Sequence, residues 1–220
     1  MKHLLIYNTE SEYRANQSVP LDSVSLIEST KEVKFGSPLL SLYDKLDYIQ
    51  SIPNSIYNGA YINTGVVPTM NTRVEAHIVE IGTDTVVCGG WKDSYNANAF
   101  GFNNDPEVMY AAFLNSYVGD LPHLSDSDHV VILDAEKVVV DGTKVHDFPQ
   151  QSGPFDENMN PICFFAALRG SDAFFFTNAG SPETYKLKIS NFKIYEGNTI
   201  LKDFYPVKRK SDSVIGVSGR

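Results

Sequence analysis

Residues 89–105, GGWKDSYNANAFGFNND, concentrate the side chains best suited to hold a ligand. Trp91, Tyr95, Phe100 and Phe102 offer flat apolar faces, and Asp93, Asn96, Asn98, Asn103 and Asn104 place a carboxylate and several amides among them. Sugars are held by that pairing, because a pyranose ring stacks on an aromatic face while its hydroxyls bond to planar amides and carboxylates. Trp91, Asp93, Tyr95, Asn96 and Asn98 are therefore the candidate ligand-binding residues. The same residues also read as two strands around a polar loop, since Phe100 and Phe102 alternate with Ala99, Gly101 and Asn103 at the period of a pleated strand. Core packing and ligand contact both stay open on this pattern.

Catalytic chemistry has no comparable signal. A glycosidase on a β-sandwich needs two carboxylates flanking one bond, and the chain has no E-x-D-x-x-E run; its acids sit in turns such as Asp126–Asp128 and Asp141-Gly142. There is no G-x-S-x-G. The histidines, at 3, 77, 123, 129 and 146, do not fall at metal-ligand spacing. His123 and His129 bracket LSDSD, whose oxygens could take Ca²⁺, but the stretch lacks the bidentate acid and glycine of a regular calcium loop and reads as a solvated loop. Cys88 and Cys163 lie far apart in the apolar contexts VVCGG and PICFFAAL, which suits buried free thiols better than a disulfide or a metal site. The expectation is a protein without catalytic residues, metal or cofactor.

Composition narrows the partners. A formal net charge of −9 repels phosphate backbones, so nucleic acid is disfavoured. MKHLLIY is too short for a signal h-region, and no stretch reaches membrane-spanning length, so no export address and no membrane partner are expected. With 220 residues, 42% hydrophobic, and 13 Phe and 12 Tyr, the chain can bury a substantial core.

The elements that must position these residues are strands. TRVEAHIVE alternates, with Val74, Ala76 and Ile78 on one face and Arg73, Glu75 and His77 on the other. HVVILD (129–134) and FFAAL (164–168) are continuous apolar runs of the core-strand type, and DAEKVVVDG reads as turn, strand and glycine turn, completing a hairpin. SDAFFFTN and ETYKLKISNFKIYEGNTILKDFYPV supply three more strands, with Glu196-Gly197-Asn198 as a tight turn. Leu187 and Ile189 fall at odd positions but Phe192 and Ile194 at even ones, which predicts a β-bulge at Ser190-Asn191. A helical period is conceivable only in ESEYRANQ (10–17) and PEVMYAAFLN, the latter ambiguous with a strand.

Composition breaks near residue 42. Before it lie the strand HLLIY, a polar stretch around Asn16 to Pro20, and the strand SVSLIES leading to the breaker FGSPL; the aromatic-rich strand series starts at Leu46. Residues 1–42 read as an N-terminal module and 43–220 as one sandwich. In the closing stretch DFYPVKRKSDSVIGVSGR, Phe204 and Val207 continue a strand begun at Ile200. Pro206 suits a strand end or edge. Lys208 to Lys210 read as the cationic turn that leaves it, discouraging stray strand pairing.

Several segments, in order, resemble a known family. LDYIQSIPNSIYNGAYINTGVVPTMNTRVEAHI (46–78), HVVILDAEKVVVDG, PICFFAAL and YKLKISNFKIYEGNTILKDFYPVKRKSDSVIGV are similar to the concanavalin A-like, laminin-G-like jelly-roll domain of gut bacteria and their phages. The resemblance covers most of residues 46–217 and is carried chiefly by the opening and closing motifs together. It implies an all-β, two-sheet antiparallel jelly-roll sandwich used for binding or structure; it carries over no ligand residue. The segment LLIYNTESEYRANQSVPLDSVSLIESTKEVKF resembles a leader of phage structural proteins. NSIYNGAYINTG departs from the family in replacing a small-Gly-Thr turn with Ile56-Tyr57-Asn58. The family's final aromatic strand has no counterpart after Val217: either that strand is absent or a neighbouring chain supplies it.

The functional expectation is a non-enzymatic virion structural protein, a capsid-decoration, head-fibre or tail-fibre component. Residues 1–42 would dock it, and its partners would be other virion proteins, further copies of itself and host or mucus glycans. The alternative is a stand-alone carbohydrate-binding module at a bacterial cell surface.

Overall fold

A computed structural model describes residues 3–7, 12, 23–27, 32–35, 43–51, 53, 55–94, 97–125, 128–151, 153–175, 184–209 and 215–219. They are β-structure with essentially no helix. The chain divides into two compact units, residues 1–45 with 208–214, and residues 46–207 with 215–220.

In the first unit β1 (His3–Tyr7), β2 (Ser23–Ile27) and β3 (Glu32–Phe35) form a sheet in that order, and the short β4 (Tyr43–Lys45) follows. The sequence suggested two strands here; the segment SVSLIESTKEVKF instead folds back on itself, Val24 opposite Phe35, as an antiparallel pair. β1 joins β2 in parallel, His3 opposite Ser23. The helical possibility at 10–17 lies outside the described residues apart from Glu12.

The second unit is a sandwich of two largely antiparallel sheets. The first runs β14 (Thr143–Asp147), β13 (Lys137–Val140), β12 (His129–Leu133), β7 (Thr72–Ile81), β18 (Leu187–Glu196), β19 (Thr199–Arg209), β20 (Ile215–Gly219), with β5 (Ile49–Gln50) beside β18. The second runs β11 (Ser116–Pro122), β10 (Val108–Leu114), β9 (Ala97–Asn104), β8 (Thr85–Ser94), β15 (Cys163–Phe164), β6 (Ile62–Asn63), with β16 (Ala167–Arg169) and β17 (Asp172–Phe174) attached to β8. Their facing sides meet in one core. Val74, Ala76 and Ile78 of β7 are buried there as the alternation of TRVEAHIVE requires, opposite Phe100, Phe102 and Phe113. Phe164 from one sheet stacks on Phe192 from the other at 3.6 Å between centroids; burying a side chain of this size contributes roughly 1.5–3 kcal/mol.

The hairpin expected from DAEKVVVDG is present, β12 and β13 pairing with Val131 opposite Val140, and the glycine turn that follows, between β13 and β14, has both residues at positive φ, Asp141 at 51° and Gly142 at 78°. The bulge at Ser190-Asn191 is present too. Ile189 pairs with Ile78 but Asn191 with His77, so Leu187, Ile189, Phe192 and Ile194 all face the core. At the bulge β18 exchanges partners, β19 lying beside Phe192–Glu196 and β5 beside Lys188–Ile189. The Asn191 amide covers the changeover by donating to the Phe204 carbonyl (2.8 Å) and to Asp203 Oδ1 (3.0 Å).

Three expectations need correction or refinement. PEVMYAAFLN is strand, not helix: β10 pairs on both sides, and Met109, Ala111 and Phe113 alternate inward. FFAAL is not one strand. The chain reverses at Phe165 (φ 69°), so that Cys163–Phe164 run antiparallel to β8 and Ala167–Arg169 parallel to it. That left-handed conformation, costly for a bulky residue, is held by Phe165 N–H donating to Val87 O (2.9 Å) and Tyr185 Oη donating to Phe165 O (3.1 Å). Lastly, Lys208 and Arg209 continue β19 rather than forming the turn after it, and Lys210 lies outside the described residues. Pro206 sits past Phe204, the last residue of β19 paired with β18, so its missing N–H is not needed in that ladder.

Candidate functional site

The candidate stretch at 91–98 is placed by β8, β9 and the residues joining them. Trp91 is only 7% exposed and packs on the side of the second sheet away from the core, 5.9 Å from the Phe174 ring and grouped with Val86, Ala99, Ala112 and Ala167. Its indole thus serves as the lid of a small satellite cluster. Asn98 has φ 49°, and its Oδ1 accepts the Asp156 N–H (3.0 Å), tying the 149–161 loop to the strand. Asp93 falls on β8; Tyr95 and Asn96 lie outside the described residues. Phe100 and Phe102 belong to the main core.

Asn104 is a structural clasp. Fully buried, it donates to Gly82 O (3.0 Å) and Leu124 O (3.1 Å), accepts the Leu124 N–H (2.9 Å), and has its Nδ2 3.1 Å from His123 Nε2. His129 takes part in different contacts: Nδ1–H donates to Asp141 Oδ2 (2.7 Å) and Nε2 lies 3.1 Å from Ser125 Oγ. Among the described residues no cluster of His, Cys, Asp and Glu is suited to a metal ion. Both cysteines are buried free thiols, and burial pushes Cys163 up to about 12 and Cys88 higher still, so neither is a thiolate near neutrality.

Two surfaces that the sequence did not single out have ligand-binding chemistry. On the outer side of β10 and β11, Tyr110 and Tyr117 stack with centroids 5.5 Å apart and planes 16° apart, and Tyr117 is 41% exposed. Gly119 makes this possible, because a Cβ there would stand 2.5 Å from Tyr110 Cε1. Asn103, opposite Tyr110 across the ladder, puts an amide beside the rings. The signal was present in the alternation of VMYAAF, which sends Tyr110 and Ala112 away from the core once the segment is read as a strand.

The second surface is a cleft of about 310 Å³ where three turns meet, lined by Asn71, Arg73, Asp134, Glu136 and Asn198 among others. The Arg73 guanidinium lies over the Tyr195 ring at 3.8 Å, and its buried Nε has no hydrogen-bond partner. Donors and acceptors of both charge signs face one space. That mixture suits a neutral polyol better than a multiply charged ligand.

Carboxylates around the sandwich set its acid response. The Lys188 ammonium holds Glu80 below the usual carboxylate range, and Lys92 does so for Asp156. Burial raises Glu75 and Asp141, but the His77 contact at Glu75, and the Val130 N–H and His129 at Asp141, outweigh it and leave both lowered. Each group binds its proton less readily folded than unfolded. Their stabilisation is complete above the ordinary carboxylate pKa of about 4 and is lost as pH falls through the lower folded values. We expect Tm to be flat from about pH 6 to 5 and to fall by a few degrees below about pH 4, modestly because these pairs are largely solvated. A Tm that rises on acidification would contradict the assignment.

No protein-family model matches the chain, and no curated protein matches its sequence.

Proposed function

We propose that this chain is a structural component of a phage particle, a capsid-decoration, head-fibre or tail-fibre part. On this reading the three-stranded unit docks to other virion proteins and the second unit, a concanavalin A-like jelly roll, is displayed. The observation that carries the reading is the β19–β20 side of the sandwich. It ends the first sheet in an edge strand, β20, open to pairing with a neighbouring subunit, and Ile200, Leu201, Tyr205 and Ile215 on these two strands are exposed. The ordered resemblance of the leader and of the opening and closing motifs gives independent support. Mass spectrometry of particles purified from the source is the test: the chain should be found in them in many copies, and as an oligomer by light scattering when purified alone. A strict monomer that never accompanies particles would overturn the proposal.

A second reading, a carbohydrate-binding module at a virion or bacterial cell surface, is favoured by the Tyr110–Tyr117 stack with Asn103 beside it. Stacking of a nucleic-acid base on an aromatic side chain is worth about 1–3 kcal/mol by alanine substitution, and a sugar ring covering Tyr117 is taken to gain a similar amount. Accordingly, Tyr117→Ala should weaken any glycan binding found on an array by about tenfold. Unchanged affinity in that variant would remove the platform from consideration.

A further inference from the structure

We propose that Ser125, His129 and Asp141 form a relay that activates the Ser125 hydroxyl as a nucleophile toward small neutral carboxylic esters. This goes beyond the particle reading and departs from the expectation of a chain without catalytic groups. Asp141 opens the β13–β14 turn at φ 51°, and its two oxygens are both engaged, Oδ1 accepting the Val130 N–H (2.8 Å) and Oδ2 the His129 Nδ1–H (2.7 Å). With the proton held on Nδ1, the lone pair of Nε2 faces Ser125 Oγ at 3.1 Å. The imidazole is 13% exposed and so is fixed in orientation, whereas Ser125 lies at the surface, where a substrate can reach it. The three groups play the parts of nucleophile, base and orienting acid.

His129 and Asp141 also line a cleft of about 230 Å³ with His77, Asp128 and Ser190, adjoining the relay. Asp128 and Asp141 make its rim acidic, which disfavours an anionic substrate and selects a neutral ester. In the reaction Ser125 Oγ bonds to the acyl carbon as His129 Nε2 takes the hydroxyl proton. The C–O bond to the alcohol breaks, and the alcohol leaves with that proton. Water, deprotonated by the same nitrogen, then cleaves the acyl-serine, releasing the carboxylic acid and restoring the hydroxyl. No sequence motif marks the site because a loop supplies the serine and a hairpin turn twelve residues beyond the histidine supplies the acid.

The test is labelling of the full chain with an alkyl fluorophosphonate, the site read by peptide mass spectrometry, alongside turnover of p-nitrophenyl acetate. The wild type should carry one adduct on Ser125 and hydrolyse the ester above the Ser125→Ala background. Asp141→Asn, which keeps a residue tolerant of positive φ, and His129→Gln should each slow labelling by at least about tenfold. Absence of an adduct on Ser125, an adduct only elsewhere, or labelling equally fast in both variants would overturn the proposal. The result is read on purified protein and does not depend on whether the chain is found in particles.

Discussion

Gly101→Ala is expected to destabilise the sandwich by about 3–5 kcal/mol, combining backbone strain with overpacking in a dense core. Gly101 sits in β9 at φ 146°, and a Cβ built on it would lie 2.3 Å from Cys88 O and 2.6 Å from Gly89 Cα. Both neighbours are backbone atoms of the adjoining strand, so no side-chain rotation relieves the overlap; the β8–β9 ladder must open. Gly142→Ala is the internal comparison. It too has positive φ, but nothing lies within 4 Å of the added carbon, so only the conformational cost of about 1–2 kcal/mol applies. Urea unfolding of the two variants measures the difference directly. Equal losses would show that strand proximity at Gly101 contributes nothing.

Asn104→Ala should cost about 3–4 kcal/mol, or close to 10 °C in Tm for a domain of this size. The amide is buried and serves the Gly82 carbonyl and both backbone groups of Leu124. Removing it strands those groups away from water, which is more expensive than losing the bonds themselves. Asn104→Asp keeps an acceptor for the Leu124 N–H but loses the donors and buries a charge, so it should be at least as damaging. A stable aspartate variant would refute the clasp. Because Leu124 adjoins Ser125, either substitution should also disturb the spacing of Ser125 and His129.

The all-β architecture was legible wherever a local rule and the global packing agreed. The alternation around Ala76, the Asp141-Gly142 turn and the change of phase between Ile189 and Phe192 each specified a feature that the structure contains. What escaped was set by distant contacts. The reversal at Phe165 depends on Val87 and Tyr185, neither of which marks the FFAAL run. Trp91 sits in an aromatic and polar stretch typical of a binding face, yet Phe174, from another strand, covers it. Tyr110 and Tyr117 form a platform only because β10 and β11 fold together over Gly119. The histidines illustrate the same limit: their spacing says nothing about the Asp141 or Asn104 side chains they meet.

The central ladder between β7 and β18 has a consequence for biosynthesis. It joins segments as far apart as Thr72 and Glu196, 124 residues distant along the chain. A nascent chain can complete the β12–β14 meander early, yet one side of β7 has no partner until β18, far along the chain, has emerged. Such non-local pairing makes folding slow and late. The unfinished edge is therefore exposed while the residues between β7 and β18 are made, a period in which chains on one polysome lie close enough to pair with one another.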